Sequence, residues 1–399
     1  MRMKFTTDHT IYCCYSAYVV GAVVNNLPAL LFMTFHRDYG FSPETLATLV
    51  IMNFVVQMVV DYFGARFADR IGYRNIVIAA QLFEAVGLVA MSFLPRMLPP
   101  YIGLITATLL YSIGSGLTEV IISPITEALP GEDKAKKMGL MHSFYCWGVV
   151  ATTVLSTAFF YVFGIDKWPV LCLVWAILPV VNAFLFARVP IYQLGGNEGK
   201  TTSIGAILRL KLIGFFLVLM LCSGAAEQAI AQWASYFVEN ELAVSKQTAD
   251  LLGPCLFSVT MGIARVIYAK SSTRVPIYRS LLLSAVLCGV SFLLIGLSPI
   301  PALAVFGCAL GGLAVGVFWP GTLSFAAENC PEGGTPMFAI LALGGDIGCF
   351  TGPWLVAKAA SVVSAGESVK PGMPFGALFP VLMIGFLLIV RRKKSKSNG

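Results

Sequence analysis

The feature that most constrains this chain is a series of twelve apolar stretches, lying near residues 11–35, 43–64, 75–94, 100–123, 138–163, 168–187, 207–237, 248–269, 277–297, 301–327, 335–360 and 373–390. Each is about as long as the hydrocarbon thickness of a bilayer requires of a helix. A backbone amide left unpaired in hydrocarbon costs several kcal/mol, so segments of this kind are helices. Composition agrees: 57% of the 399 residues are hydrophobic and 12% are charged, against roughly 25% charged in a soluble domain. The apolar run that starts at Ile11 continues past Phe35 and lacks a small-residue cleavage site. It is therefore expected to be a spanning helix and not a cleaved leader. The expected fold is an all-α membrane protein of twelve transmembrane helices.

Charge placement orients these spans. If both termini are cytoplasmic, 21 of the 27 Lys and Arg residues fall on the cytoplasmic side and 6 on the other, the latter being Arg37, Arg96, Lys167, Lys246, Lys358 and Lys370. Such a bias is the positive-inside signature. It also accounts for the net charge of +7 without a nucleic-acid partner. The ten cysteines lie in or at the ends of apolar stretches, where free Cys behaves as a small hydrophobe. No metal-ligand spacing or cofactor motif occurs, and no nucleophile–base pair that would suggest an enzyme. Membrane lipid is the expected surrounding partner, the chain is expected to be a monomer, and the expected location is the plasma (inner) membrane.

The long polar stretch from Arg188 to Ser203 contains Gly195-Gly196-Asn197-Glu198-Gly199-Lys200 and divides the chain near its middle. The organisation expected from it is a six-helix bundle over 1–187, a cytoplasmic linker over 188–206, a second six-helix bundle over 207–390 and a basic tail over 391–399. The halves echo one another weakly. Span 4 carries Gly116 and, eight residues on, Pro124; span 10 carries Gly312 and Pro320 at the same spacing. Duplicated halves with a site between them at the bilayer midplane are a transporter arrangement.

The loop after span 2 reads Gly64-Ala65-Arg66-Phe67-Ala68-Asp69-Arg70-Ile71-Gly72-Tyr73-Arg74. It resembles the signature loop of the major facilitator superfamily, with Gly64, Asp69, Arg70, Gly72 and Arg74 matching and Tyr73 standing where a basic residue is usual. The resemblance implies two pseudo-symmetric six-helix bundles working by alternating access. It also implies a latch for one conformational state, built from these five residues together with Asp61 at the end of span 2. Gly64 lets helices approach closely, and Asp69 suits a helix N-terminus. The second half has only a worn copy, Gly262-Ile263-Ala264-Arg265.

Three further stretches are similar to the fucose-permease-like branch of that superfamily. These are Asn25-Asn26-Leu27 in span 1; Gly114-Ser115-Gly116 through Glu119 and Pro124 to His142-Ser143-Phe144-Tyr145; and Gly344-Gly345-Asp346-Ile347-Gly348 with Gly352-Pro353 in span 11. Sugar–proton symporters of that branch carry an acid after the paired asparagines. Here Ala29 stands in its place, which leaves Glu119 as the single member of the expected carboxyl pair.

Ionisable groups inside a membrane are costly and call for a role. Tyr111, Ser115, Glu119 and Ser123 recur every four residues along span 4, which lines them up along one side of a helix. Glu119 near the centre of that span, with His142 on span 5, forms the candidate proton-coupling pair, protons being the coupling ion the resemblance implies. Candidate substrate contacts are Asn25, Asn26, Tyr145, Trp147, Glu227, Gln228, Gln232, Trp233, Trp319 and Asp346. The amides suit hydroxyl groups, and flat indole faces suit the apolar side of a sugar ring. Gln228 and Gln232 share a helix face, with Glu227 about 100° away. Asn53 and Gln57 precede Asp61 on span 2 at the same spacing of four, while Gln81 and Glu84 in span 3 form a pair without an assigned role. No Lys or Arg lies near the middle of any span, which argues against a fixed anion as substrate.

The reading that follows is a secondary transporter for a small neutral polar solute, a sugar or polyol by resemblance. Two alternatives of the same class are a proton-linked efflux carrier for lipophilic cations, with Glu119, Glu227 and Asp346 as counter-charges, and a uniporter. A reading of another class, a transporter-shaped sensor, predicts an appended cytoplasmic signalling domain; nine residues follow Val390.

Overall fold

The computed structural model describes residues 5–130, 134–192, 212–271, 275–330, 334–364 and 368–397. The side chains of 64–70, 134–139, 269–271, 334–336, 338–339 and 391–397 lie outside that description. Twelve helices are long and apolar enough to cross a membrane. We number them α1 (Thr7–Leu30), α2 (Pro43–Phe63), α3 (Tyr73–Met97), α4 (Pro100–Ala128), α5 (Leu140–Phe163), α6 (Ile165–Phe186), α7 (Ile213–Leu242), α8 (Lys246–Tyr268), α9 (Ile277–Leu297), α10 (Pro301–Asn329), α11 (Ile340–Ser364) and α12 (Lys370–Val390). No strand occurs among the described residues. The chain forms two compact units. One comprises residues 1–39 and 52–198, the other residues 40–51 and 199–399. The second thus includes the first turns of α2, where Glu44 forms an ion pair of 2.9 Å with Lys358 of α11.

The helix ends follow local chemistry. Pro stands in the first turn of α4 and of α10, where its missing N–H is no loss. Ser42 and Ser245 cap α2 and α8 in the same way. The Thr45 amide donates to Ser42 Oγ at 3.2 Å, and the Thr248 amide to Ser245 Oγ at 3.3 Å. This shared Ser-x-x-Thr entry is a mark of duplication sharper than the Gly-to-Pro spacings. The helix containing α2 runs on to Ile71 and ends at Gly72, whose φ of 88° is closed to most side chains. Asp69 therefore sits in the last turn of a helix and not at a helix N-terminus, which corrects the sequence expectation.

Lipid tails are as apolar as Leu, so helices inside a bilayer are joined by close packing and interhelical hydrogen bonds. The first unit uses both at the α3–α4 contact. A Cβ on Gly114 would stand 2.7 Å from Glu84 Cγ, so glycine makes the room for that side chain. Glu84 has no exposed surface. It accepts from Gln81 Nε2 and, at 3.1 Å, from Thr118 Oγ1. Asn182 Nδ2 of α6 donates to Gln81 Oε1 at 3.0 Å and to the Cys13 carbonyl of α1 at 3.2 Å. The span-3 pair thus ties α1, α3, α4 and α6 into one knot. Glu84→Gln keeps an oxygen to accept from Gln81 and turns its NH2 to donate to Thr118 Oγ1, so thermal stability in detergent is expected to stay near wild type. Glu84→Ala strands the partners at about 1–3 kcal/mol each. Equal stability of the two variants would remove the knot from this account.

The second unit relies on glycine at the α7–α11 contact. Cβ atoms on Gly224, Gly348 and Gly352 would overlap the backbone oxygens of Gly345, Leu221 and Ala225 respectively. At the far end of α7, Lys246 Nζ contacts Asp250 Oδ1 and donates to Ser235 Oγ at 2.9 Å, and Ser235 Oγ also donates to Asp250. Asp250 is fully buried and Lys246 nearly so. The ten cysteines are free, nine of them buried.

Candidate functional site

Helix interruptions fall beside the polar residues. The first helix stops at Leu31, three residues after Pro28, and resumes as a short helix over Phe32–Tyr39. Its counterpart α7 is broken at Gln232–Trp233, between segments Ile213–Ala231 and Ala234–Leu242. The fourth helix of the second half, α10, is broken at Gly316–Val317, and α8 contains a π-helical turn over Leu251–Cys255. Interrupted helices at matching places in duplicated halves mark where transporters bind their cargo.

In the first unit, Asn25 Oδ1 accepts from Asn53 Nδ2 at 3.0 Å and from Gln57 Nε2 at 3.1 Å. Gln57 Nε2 also reaches Asn53 Oδ1 at 2.8 Å. From α4, Ser112 Oγ donates to Asn53 Oδ1 at 2.6 Å and Ser115 Oγ to Gln57 Oε1 at 3.3 Å. Asn53 and Gln57 therefore belong to a polar joint of α1, α2 and α4. Asn26 turns to its own helix, with Nδ2 on the Ala22 carbonyl at 2.8 Å.

The span-4 stripe is not uniform. Tyr111 is buried against Thr108 at 3.1 Å, and Ser115 is buried. Glu119, by contrast, is exposed. A carboxylate exposed midway along a spanning helix faces water or a ligand, because hydrocarbon would not accept it. Tyr18 of α1 lies within electrostatic reach of it. The Tyr18 ring meets the exposed His142 of α5 edge-on, with centroids 5.2 Å apart. One turn along, Tyr15 stacks on Phe144 at 4.5 Å. The structure thus brings Glu119 and His142 to the same aromatic side chain. Tyr145 is half-buried, and Trp147 is 52% exposed.

In the second unit, Gln232 Nε2 donates to Gln228 Oε1 at 2.9 Å, and both are nearly buried. Trp233 has no exposed surface, and its indole N–H donates to the Pro353 carbonyl at 3.1 Å. Trp319 packs its ring on Gly345, next to Asp346, which is 7% exposed. Glu227 lies 3.9 Å from the Arg265 guanidinium. Arg265 sits near the end of α8, but its long side chain carries positive charge to the middle of α7. The sequence argument from the absence of central cations is corrected to that extent.

Of the loop residues, Gly64, Asp69 and Arg70 have side chains outside the described set. Asp61 is half-buried. Arg74 donates to the carbonyls of Phe186 at 2.7 Å and Val189 at 2.9 Å. It thereby satisfies groups at the C-terminal end of α6, where a cation is favoured. Within its own unit Arg74 is a clamp between α3 and α6.

The profile of the Major Facilitator Superfamily matches residues 13–252 and 216–399. The chain belongs to that superfamily. No curated protein sequence matches it. Solved structures do. A bacterial homologue of the human lysosomal transporter Spinster, in an inward-facing and unoccupied conformation, is 13% identical with a TM-score of 0.78, covering 96% of this chain and 97% of that one. A mutant of the nucleoside transporter NupG is 13% identical with a TM-score of 0.76, covering 95% and 98%. A mutant of the Escherichia coli fucose:proton symporter FucP is 14% identical with a TM-score of 0.65, covering 95% and 98%. At such identities the likeness concerns the fold. The chain is an integral membrane transporter of the alternating-access type, and its superfamily is one of transporters, not enzymes.

Sequence reasoning missed Tyr18, Asn53, Gln57, Ser112 and Arg265 as members of these clusters. The spacing of four on span 2 was the available signal for Asn53 and Gln57. Tyr18 and Arg265 carry no local signal, because each acts by reaching to another helix.

Proposed function

We propose that this transporter moves a small neutral polar solute, a sugar or polyol, in symport with protons, with Glu119 as the coupling carboxyl. The observation that carries the reading is the exposed Glu119 and His142, both reached by the half-buried Tyr18, in the same unit as a network of amides and hydroxyls from Asn25, Asn53, Gln57, Ser112 and Ser115. Amides and hydroxyls match the donors and acceptors of a polyhydroxylated ligand. The similar FucP structure is that of a fucose:proton symporter, which supports the substrate class. Efflux of lipophilic cations is the weaker reading, because Arg265 already faces Glu227 at 3.9 Å. Asn26, Tyr145, Trp147, Gln228, Gln232, Trp233, Trp319 and Asp346 complete the proposed substrate contacts. The Gly64–Arg74 loop, with Asp61, remains the proposed latch. We place the protein as a monomer in the plasma (inner) membrane with both termini cytoplasmic, on the charge bias of the loops.

The test is a thermal-shift screen of the purified protein against sugars, polyols, amino acids and cationic dyes, followed by uptake of the best ligand into proteoliposomes. A ligand of the folded state raises apparent stability. A sugar or polyol is expected to score, and an imposed pH gradient is expected to drive its accumulation. A dye or amino acid as the only stabiliser overturns the substrate class. Uptake indifferent to the gradient makes the protein a uniporter.

A further inference from the structure

We infer that Glu227 and Arg265 act together as a charge filter: the pair binds an uncharged hydroxyl and rejects ligands that carry a net charge of either sign. The inference rests on the reading of the substrate as a neutral solute, and it adds Arg265 as a specificity-determining residue.

The geometry of the pair carries the argument. Glu227 falls at the midpoint of α7, and Arg265 reaches it from near the end of α8. Nη2 of the guanidinium stands 3.9 Å from Glu227 Oε2. At that separation the two charges compensate one another, but the gap exceeds the length of a hydrogen bond. Among the described residues, the Glu227 carboxylate accepts no hydrogen bond. Both side chains keep exposed surface, 12% for Glu227 and 27% for Arg265. A carboxylate with open surface at mid-span faces water or a ligand, because hydrocarbon would not accept it.

The neighbours leave the pair accessible and in place. Ala231, one turn further along α7, is half-buried and carries only a methyl group. Met261, one turn before Arg265 on α8, is buried, with its sulfur 3.9 Å from Nη2. A thioether packs against the guanidinium without competing for its charge.

A hydroxyl suits this gap, because it can donate to the carboxylate and accept from the guanidinium at once. A ligand with a net charge meets two charges that already cancel. It would leave water without gaining a counter-charge, which is costly. Removing either partner leaves one charge that selects a ligand of the opposite sign.

The experiment measures apparent affinity of the full chain by ligand-induced thermal shift. The probes are glucose and galactose, their 2-amino forms and their uronates. The wild type should take the neutral sugars ahead of both charged forms. Arg265→Gln should raise the preference for the amino sugar over its parent about tenfold, the scale of one charge-assisted hydrogen bond. Glu227→Gln should do the same for the uronate. The double variant should favour neither charged form, and Arg265→Lys should keep the wild-type order. A role in packing alone would not give opposed shifts that cancel. Each single variant reads its own direction, so failure of one to fold leaves the other decisive. Folded variants that keep the wild-type order, or that ignore every one of these sugars, overturn the inference and leave the neutral-solute reading standing. A wild type that prefers a charged form overturns both.

Discussion

Glu119→Gln is expected to abolish accumulation of substrate against its gradient while exchange of substrate across the membrane continues. Glutamine mimics the protonated carboxyl. Exchange cycles the loaded carrier and needs no deprotonation, whereas net symport needs the proton released on the far side. The expectation comes from where Glu119 stands. It is the exposed acid of α4, and Ala29 occupies the place where sugar–proton symporters of the resembling branch carry a second acid in span 1. On the proposed reading, one carboxyl serves where that branch carries two. Uptake and exchange in proteoliposomes, compared between wild type and variant, decide the matter. Accumulation by Glu119→Gln would make the residue structural and move the coupling elsewhere.

The second large effect concerns stability. Asp250→Ala is expected to destabilise the protein by about 3–5 kcal/mol, because it leaves the Lys246 ammonium buried without its counter-charge. Lys246→Met together with Asp250→Leu should recover most of the loss, since two well-packed apolar side chains replace a buried pair at little or no cost. Thermal unfolding in detergent reads both. A double variant as unstable as Asp250→Ala would mean that the pair does more than satisfy its own charges. The exposed Glu44–Lys358 pair offers the contrast. Its side chains are 42% and 48% exposed, and such pairs contribute about 0–1 kcal/mol.

These cases show where sequence reading reaches and where it stops. Span number and approximate position follow from length and apolarity, which are properties of consecutive residues. The breaks of α1 at Leu31 and of α7 at Gln232–Trp233 were not read from the sequence. Lys246, however, was read as a loop charge because it stands at the edge of an apolar run, and the structure buries it on Asp250 and Ser235. Glu84 had no evident purpose, because its partners come from two other helices. Glu119 was placed near the centre of span 4, and the structure leaves it exposed between the buried Ser115 and the half-buried Ser123. In each case the missing information is which helix crosses which, a property with no signature in local order.

The two halves also differ in how their first and fifth helices meet. In the second half, α7 and α11 touch backbone to backbone through Gly224, Gly345, Gly348 and Gly352. Such a joint has a single setting, and any side chain added to it forces both helices to move. It therefore fixes register like a key in a slot, and neither helix can drift by mutation alone. In the first half, α1 and α5 meet at Gly148 and through rings, Tyr15 on Phe144 and Tyr18 on His142. Rings can slide and retilt. Of the two copies of this joint, one is thus keyed by backbone against backbone, and the other is held largely by rings.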